Sequence, residues 1–317
     1  MEIWGSVHKR AYWQGRLICP SLITMSTAKI LNFYLSKAKR DRAAAAGGIF
    51  SRVVEAARTA GWQVILKDED EAVEGIGHHL IYNRAVTEPF CLCLRRCHTD
   101  PFFRIESTND RWDWDVAKKL FAPRPAFIEE EGFRRRWCNK LLQGAKISQQ
   151  GHIFMPLQGK LFIHRHFQST SPVKMIYETL KADPIRQIIA TLHPKETYSV
   201  EEISALRAFG ERFQVTDQPS LQVLAACDYV VTENSSMALT GFFAEKPAVL
   251  FANIDFHHIG ASVAKLGASA AILAAQADPP QFATYLHWFF KRNAITSWAD
   301  DAVDQIRARF RDHGWPM

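Results

Sequence analysis

The sequence predicts an α/β protein of two lobes, each built on a parallel sheet. The clearest observation is in the second half, where short apolar segments alternate with helical patterns from residue 152 onward. Such alternation is typical of parallel strands covered by helices on both faces. A second observation is the strand–loop–helix–strand order that begins at residue 30 and opens a βαβ unit. The third is a basic, polar stretch between the two series, residues 134–150, which we interpret as a linker.

The first half contains fewer clear elements. Its predicted strands are 30–35, 63–66, 79–83, 91–94 and 126–128, with a helix at 50–60. Polar residues 36–42 are interpreted as a loop, and the acidic residues 129–132 as a turn after the last strand.

The second half is more regular. Its elements are predicted as strand 152–157, helix 173–180, strand 187–192, helix 200–207, strand 212–215, helix 220–226, strand 229–232, helix 237–245 and strand 248–251, followed by closing helices at 280–292 and 297–313. We therefore predict an N-terminal arm (1–24), which stands ahead of the regular pattern and is either a loose arm or upstream of the native start. A first lobe (25–148), a second lobe (149–290) and a closing helix (291–317) follow, with a cleft between the lobes.

Composition limits the function classes. The chain has 317 residues, of which 47% are hydrophobic and 23% charged, as in folded globular proteins. No apolar run approaches the roughly 20 residues that span a bilayer. The net charge is uneven: residues 1–150 hold 24 Lys and Arg against 17 Asp and Glu, while the remainder is close to neutral. A basic half suits an acidic acceptor or an anionic membrane face, and scattered basic residues without a binding motif disfavour nucleic acid.

The cysteines and histidines give no clear metal signal. Cys91, Cys93 and Cys97 lack the spacing of a zinc pair, so we predict free thiols in a reducing cytoplasm. The four histidines at 164, 166, 257 and 258 could ligate a metal, but we favour structural roles and predict no metal site.

Two polar loops in the second half predict an anion site. His193, Pro194 and Lys195 follow one buried strand, and Asn234, Ser235 and Ser236 follow another and open a helix. The first turn of a helix presents unpaired N–H groups and a positive dipole end, and the serine hydroxyls add further donors. An imidazole and an ammonium complete a set suited to a phosphate at the strand ends.

Acidic and aromatic residues of the first half are open to two interpretations. Closely packed like charges in Glu129, Glu130 and Glu131 raise one another's proton affinity, which would tune a carboxylate for acid/base work. The alternative is a solvated turn. Trp112 and Trp114 could stack on a sugar, although we favour core packing because an indole must bury a large area.

Taken together, the motifs resemble bacterial glycosyltransferases that use CMP-activated sugars, namely sialyltransferases and, more closely, the capsule polysaccharide family with its Kdo transferases. The resemblance covers roughly residues 120–260. It rests on the acidic run Glu130 to Arg135, on Met155 to Gln158, on Ser171 and Pro172 with Met175, on the His-Pro loop, and on Asn234, Ser235 and Ser236 followed by Lys246 and Pro247.

The resemblance implies a GT-B fold of two Rossmann-like lobes, an acceptor lobe (25–148) and a nucleotide-sugar donor lobe (149–290), and a set of residue roles. His193 and Lys195 would face the nucleotide phosphate, Asn234, Ser235 and Ser236 would bind it, and Gln158 would contact the donor. Glu130 would serve as base or acid at the acceptor hydroxyl, with Glu131 supporting it. The implied protein is a cytoplasmic, metal-independent glycosyltransferase without a cofactor. It would transfer an acidic sugar, foremost Kdo, from a CMP-sugar to a glycan or glycolipid, with peripheral membrane association open.

Two departures keep alternatives open. The family commonly has an Asp a few residues after the Gln, whereas residues 159–164 contain no carboxylate, and Arg136 replaces an expected Ser. A covalent mechanism through that Asp is therefore not available here. The rivals are a non-catalytic glycan-binding or capsule assembly protein of the same fold, and a nucleotide-sugar epimerase, whose Ser-Gly-Gly-type loop differs from Asn-Ser-Ser.

Overall fold

The computed structural model describes residues 28–317, so the predicted N-terminal arm, which contains Cys19, lies outside the described residues. The chain forms two compact units. The first unit combines residues 28–110 with residues 294–317, and the second unit comprises residues 111–293. Each contains one six-stranded sheet.

The strands and helices are numbered in chain order over the described residues. The strands are β1 (Ile30–Leu35), β2 (Gln63–Asp68), β3 (His78–Tyr82), β4 (Cys91–Arg96), β5 (Phe102–Glu106), β6 (His152–Leu157), β7 (Gln187–Leu192), β8 (Phe213–Val215), β9 (Tyr229–Thr232), β10 (Ala248–Leu250), β11 (Ala261–Ser262) and β12 (Ile295–Thr296). The α-helices are α1 (Lys37–Ala44), α2 (Ile49–Thr59), α3 (Asp115–Lys118), α4 (Ile128–Leu142), α5 (Pro172–Ala182), α6 (Val200–Arg207), α7 (Ser220–Ala226), α8 (Ser236–Phe243), α9 (Val263–Leu266), α10 (Ala268–Gln276), α11 (Phe282–His287) and α12 (Ala302–Asp312).

The sheet of the first unit has the order β12-β5-β4-β3-β1-β2. Strands β1 to β4 are parallel, whereas β5 and β12 run antiparallel at one edge. Side chains of β1 alternate between two cores, as the two-residue period of a strand requires. Phe33 packs in the core that contains residues of α2 and α12, and Tyr34 packs with Ile81 and Cys93 on the other face.

The second unit is a doubly wound α/β domain in which all six strands are parallel, in the order β11-β10-β9-β6-β7-β8. Every residue of β6 and β9 is buried, as expected for central strands covered on both faces. Residues of α5 and α10 contribute to the same core, including Met175, Ile176 and Ile272. This sheet places the carboxyl ends of β6, β7 and β9 at one edge, where the polar loops begin.

The α/β fold with two Rossmann-like units is thus confirmed, although the first sheet is parallel only in β1 to β4. The strands and helices predicted for the second half from 152 to 251 are also confirmed, within one or two residues at most ends. The five described cysteines are free and buried, which confirms the thiol prediction for them. None of the described helices is long and apolar enough to span a bilayer.

Four local predictions in the first half are wrong. Residues 37–44 are a helix rather than a loop. The predicted strand 126–128 does not form, and Glu129, Glu130 and Glu131 occupy the first turn of α4 rather than a free turn. An acidic first turn suits a helix because the carboxylates face the positive end of its dipole. Helix α4 then continues to Leu142, through much of the stretch interpreted as a linker.

The division into compact units also differs from the predicted lobe boundaries, 148/149 and 290/291. Helix α4 packs against α8 and α11, so it belongs with the second unit. At the other end of the chain, α12 packs against α2 and completes the core of the first unit. These assignments depend on contacts between residues far apart in the chain. Local composition, from which the lobe boundaries were predicted, contains no information about such contacts.

Candidate functional site

The carboxyl edge of the second sheet collects six of the predicted site residues. Gln158 follows β6, His193 and Lys195 follow β7, and Asn234 to Ser236 follow β9. Strand β6 lies between β7 and β9, with Leu157 aligned to Leu192 and the Thr232 hydroxyl donating to the Pro156 carbonyl at 3.3 Å. Because these strands are parallel and in register, their loops emerge side by side. We call this group the donor edge.

The start of α8 has the geometry of an anion site. Ser235 is the N-cap, and its hydroxyl accepts a hydrogen bond from the Met237 N–H at 3.3 Å. Ser236, the first helical residue, is exposed. The Ala238 N–H donates to the Ser235 carbonyl at 3.1 Å, so the Ser236 N–H remains in this turn for a ligand. The helix dipole makes this end positive. The predicted helix start at Asn-Ser-Ser is therefore confirmed, and its chemistry favours a phosphate or carboxylate.

The loop after β7 presents an imidazole and an ammonium to solvent. The His193 N–H donates to the Tyr198 hydroxyl at 2.9 Å, and the His193 Nδ1 accepts from the Lys195 N–H at 3.2 Å. Because Nδ1 is occupied as an acceptor, Nε2 carries the ring proton and is available as a donor. Both side chains are exposed, so they can reach a ligand.

Gly159 allows the loop after β6 to approach the loop after β7. A Cβ added at Gly159 would overlap the Glu196 carboxylate and lie only 3.1 Å from the Glu196 Cβ. Only glycine therefore fits at this position with Glu196 where it is. Glu196 was not among the predicted site residues, yet it places a carboxylate against the segment 159–164, which has none of its own.

Glu233 is a second site residue that the sequence analysis missed. It follows β9 directly, immediately before Asn234, and only 1% of it is exposed. Burial raises the pKa of Glu233 to about 7, and the positive charge of Arg165 counteracts only part of that rise. A carboxyl that titrates near neutral pH beside an anion site is suited to proton transfer or to charge regulation.

Glu233 lies beneath a segment of the loop between β6 and α5, residues 164–169, which we call the strap. The Gln168 amide donates to one oxygen of Glu233, and an Arg165 nitrogen lies 3.4 Å from the other. Gln168 of the strap forms an isolated antiparallel bridge with Ala252, which lies two residues after the end of β10. The only sequence signal for Glu233 was an acidic residue at the end of an apolar strand, and its burial depends on Gln168, 65 positions away.

The aromatic pair Trp112 and Trp114 divides between two roles. Trp114 is fully buried, as the core interpretation predicted. Trp112 is half-buried and stacks on Phe167 of the strap, with ring centroids 4.7 Å apart. Arg165 in turn lies over the Phe167 ring at 5.1 Å. Trp112 therefore supports the strap that covers Glu233.

Glu130 and Glu131 are engaged in contacts within the second unit. Only 2% of Glu130 is exposed, and it pairs with Arg124 at 2.6 Å and accepts from the Phe127 N–H at 2.9 Å. Burial alone raises its pKa, but the hydrogen bonds from Arg124 and the Phe127 N–H outweigh burial and leave the pKa lowered. The expectation that neighbouring carboxylates raise its proton affinity is therefore wrong. Glu131 pairs with Arg134 at 3.2 Å.

The acidic pair is not in contact with the donor edge. Over the described residues, no hydrogen bond or ion pair joins Glu130 or Glu131 to the six donor-edge residues. Helix α4 meets α8 at the far end, where Arg134 donates to the Phe243 carbonyl at 3.0 Å. Eight residues of helix, roughly 12 Å, separate that carbonyl from Ser236.

The four histidines considered as metal ligands have contacts within the protein. His164 Nε2 donates to the Gln168 carbonyl at 2.8 Å, and His257 Nδ1 to the Ile254 carbonyl at 2.8 Å. His166 packs edge-on against Trp112. His258 bonds the Tyr285 hydroxyl and two backbone carbonyls, and burial lowers its pKa to about 4.

Comparisons with known proteins reach only the level of the fold. No family model and no curated protein matches the sequence. Similar solved structures include KpsC of Thermosulfurimonas dismutans, described as a beta Kdo 2,4 transferase, with a TM-score of 0.48 and 11% identity over 81% of this chain and 89% of that chain. The beta Kdo 2,7 transferase structure of KpsC gives 0.46 and 12%, over 78% and 89%. The wall teichoic acid polymerase TagF gives 0.30 and 9%, over 92% and 91%. At these identities the likeness assigns no donor, acceptor or reaction to this chain.

Proposed function

We propose that the protein is a cytoplasmic, metal-independent GT-B glycosyltransferase of surface polysaccharide biosynthesis. It transfers an acidic sugar, foremost Kdo, from a CMP-sugar to a glycan or glycolipid acceptor, with no further cofactor. The observation that carries the proposal is the donor edge, where a serine-capped helix start and a His-Pro-Lys loop follow strands on either side of β6. The order of the motifs in the sequence supports the CMP-sugar family over other users of phosphorylated ligands.

At the donor edge, the phosphate of the CMP-sugar lies at the start of α8. The Ser236 N–H and the hydroxyls of Ser235 and Ser236 donate to it, and Lys195 and the Nε2–H of His193 approach from the loop after β7. Gln158 contacts the sugar. These donors stabilise the negative charge that grows on the CMP leaving group as its bond to the sugar breaks.

On the acceptor side, Glu130 remains the residue that the resemblance assigns as the base. Because its pKa is lowered, Glu130 is a carboxylate at neutral pH, which is the form that accepts a proton. The acceptor oxygen forms the new bond to the anomeric carbon, its proton passes to Glu130, and CMP leaves with the electrons of the broken bond. Glu131 holds Arg134 beside this turn.

Nucleotide binding is tested by thermal unfolding with CMP, UDP and GDP, since a ligand that binds only the folded state raises the melting temperature. We expect CMP to stabilise the protein, and Ser236→Ala and His193→Ala to reduce that effect. Ser204→Ala, an exposed serine on α6, is the matched control and should behave as the wild type. Stabilisation by UDP and not by CMP would contradict the donor assignment.

The rival is a non-catalytic glycan-binding or assembly protein. Two observations favour it. Glu130 is engaged in an ion pair with Arg124, and residues 159–164 contain no carboxylate. Incubation with CMP-Kdo and a glycolipid acceptor separates the two, because only an enzyme releases CMP in proportion to acceptor. A Glu130→Gln protein that binds CMP but does not transfer supports the base assignment, whereas full transfer by that variant removes it.

A further inference from the structure

Three large apolar side chains are exposed in a short segment of the second unit. The exposed fractions are 95% for Leu120, 64% for Phe127 and 89% for Ile128. All three lie between α3 and the first residue of α4. Scattered single apolar residues on a surface need no explanation, but three within nine positions carry a cost in water unless something covers them.

The segment is held in place, so this exposure belongs to an ordered surface. Phe121 packs edge-on against Tyr285, with ring centroids 5.1 Å apart, and the Arg124 carbonyl accepts from the Thr284 hydroxyl at 3.1 Å. Glu130 contacts the same hydroxyl at 3.4 Å. Helix α11 thus anchors the chain between Leu120 and Phe127 and again just after Ile128.

Basic residues continue the surface along α4. Ile128, Arg135 and Arg136 fall within about 100° of one another on the helical wheel, opposite the buried Glu130 and Trp137. Arg135 and Arg136 are exposed. Lys118, also exposed, precedes Leu120, and Lys291 and Arg292 follow α11. Two acids lie on this part of the helix: Glu129, which is 3.5 Å from His287 Nε2, and the partly exposed Glu131, which pairs with Arg134 at 3.2 Å.

We infer that this apolar-basic surface, comprising Leu120, Phe127, Ile128, Arg135 and Arg136, docks the protein on an anionic lipid bilayer. Apolar side chains at a helix start insert at the headgroup boundary, and arginines along the outer face of the helix remain among the lipid phosphates. The apolar side chains are exposed, and the nearby basic residues Lys118, Arg135 and Arg136 outnumber the acids Glu129 and Glu131, of which Glu131 is paired with Arg134. A negatively charged interface is therefore the matching partner. The inference goes beyond the proposed sugar transfer and does not depend on it.

The test is sedimentation of the full protein with phosphatidylcholine vesicles, with and without phosphatidylglycerol. We expect binding only with phosphatidylglycerol, weakened by salt. Phe127→Ser with Ile128→Ser should weaken binding roughly tenfold, and serine is a favourable residue at the N-cap position of Phe127. Ile185→Ser with Leu273→Ser is the matched control, since both side chains are exposed elsewhere on the same unit.

The charge contribution is tested with Arg135→Gln and Arg136→Gln against Lys181→Gln and Arg207→Gln, which are exposed basic residues on α5 and α6. Only the first pair should reduce binding. The inference is overturned if wild-type protein does not sediment with phosphatidylglycerol, or if control and test variants lose binding equally. Self-association that is lost in the Phe127→Ser, Ile128→Ser variant would instead make this surface an interface between copies. Thermal stabilisation by CMP, measured on the same variants, reports separately on the proposed function.

Discussion

At the scale of single residues, the protein holds two buried glutamates with opposite proton affinities. Glu130 receives hydrogen bonds from Arg124 and from a backbone N–H, and its pKa is lowered. Glu233 is equally buried but has only an amide and a more distant guanidinium, 3.4 Å away, and its pKa rises to about 7. The difference follows from the number of charged or N–H donors that replace water around each carboxylate. Glu130 is thus fixed as an anion, whereas Glu233 can change charge near neutral pH.

Glu233 therefore predicts a pH dependence of stability. Its folded pKa lies above the unfolded value of about 4.3, so between these values the folded state binds more protons than the unfolded state. The free energy of unfolding then decreases as pH rises from about 4.5 to 7, by on the order of 2–3 kcal/mol. Glu233→Gln removes this contribution. Denaturant unfolding of wild type and variant across that range should show stabilities that diverge toward neutral pH, with the variant the more stable. Parallel curves would contradict the assignment.

At the scale of elements, the donor edge depends on how two loops fit together. The loop after β6 can lie against the loop after β7 because Gly159 has no side chain where Glu196 packs. The same long loop then crosses the sheet edge as the strap and pairs with Ala252. The strap thereby determines both the burial of Glu233 and the position of Trp112.

Gly159→Ala tests that fit. The added Cβ overlaps the Glu196 carboxylate and lies 3.1 Å from the Glu196 Cβ, so Glu196 must rotate and the two loops must shift by a few tenths of an ångström. We expect a loss of about 1 kcal/mol in stability, together with weaker stabilisation by CMP. Glu196→Ala alone should be nearly neutral because Glu196 is exposed. The double variant Gly159→Ala, Glu196→Ala should regain most of the lost stability, as measured by thermal unfolding. A double variant no better than Gly159→Ala alone would show that the contact with Glu196 is not the cause.

At the scale of the whole molecule, the chain returns to its first unit at its end. Residues 294–317 add β12 to the antiparallel edge of the first sheet and α12 to its core. Ile306, Phe310 and Trp315 are buried there, and the rings of Phe310 and Trp315 stack with centroids 4.9 Å apart. The first unit is therefore complete only when the whole described chain has been made.

Phe310→Ala should destabilise the first unit by about 3–5 kcal/mol through the cavity it leaves, as measured by denaturant unfolding. Phe310→Leu retains most of the apolar volume and should cost clearly less. Because Phe310 lies outside the second unit, stabilisation by CMP should persist in both variants at temperatures where they remain folded. Loss of the CMP effect in the folded variant would mean that the donor edge depends on the first unit.

The local chemistry of the chain determined much of this protein. Apolar runs bounded by polar loops determined the strands of the second sheet, and the serine N-cap determined the start of α8, because hydrophobic periodicity and capping act over a few residues. The donor edge follows directly, since parallel strands must end together. Tertiary contacts decided the rest. They decided that α4 belongs with the second unit, that Arg124 holds Glu130 as an anion, and that Gln168 buries Glu233. Burial and charge pairing depend on groups brought together from distant positions, so the proton affinities of these carboxylates exist only in the folded chain.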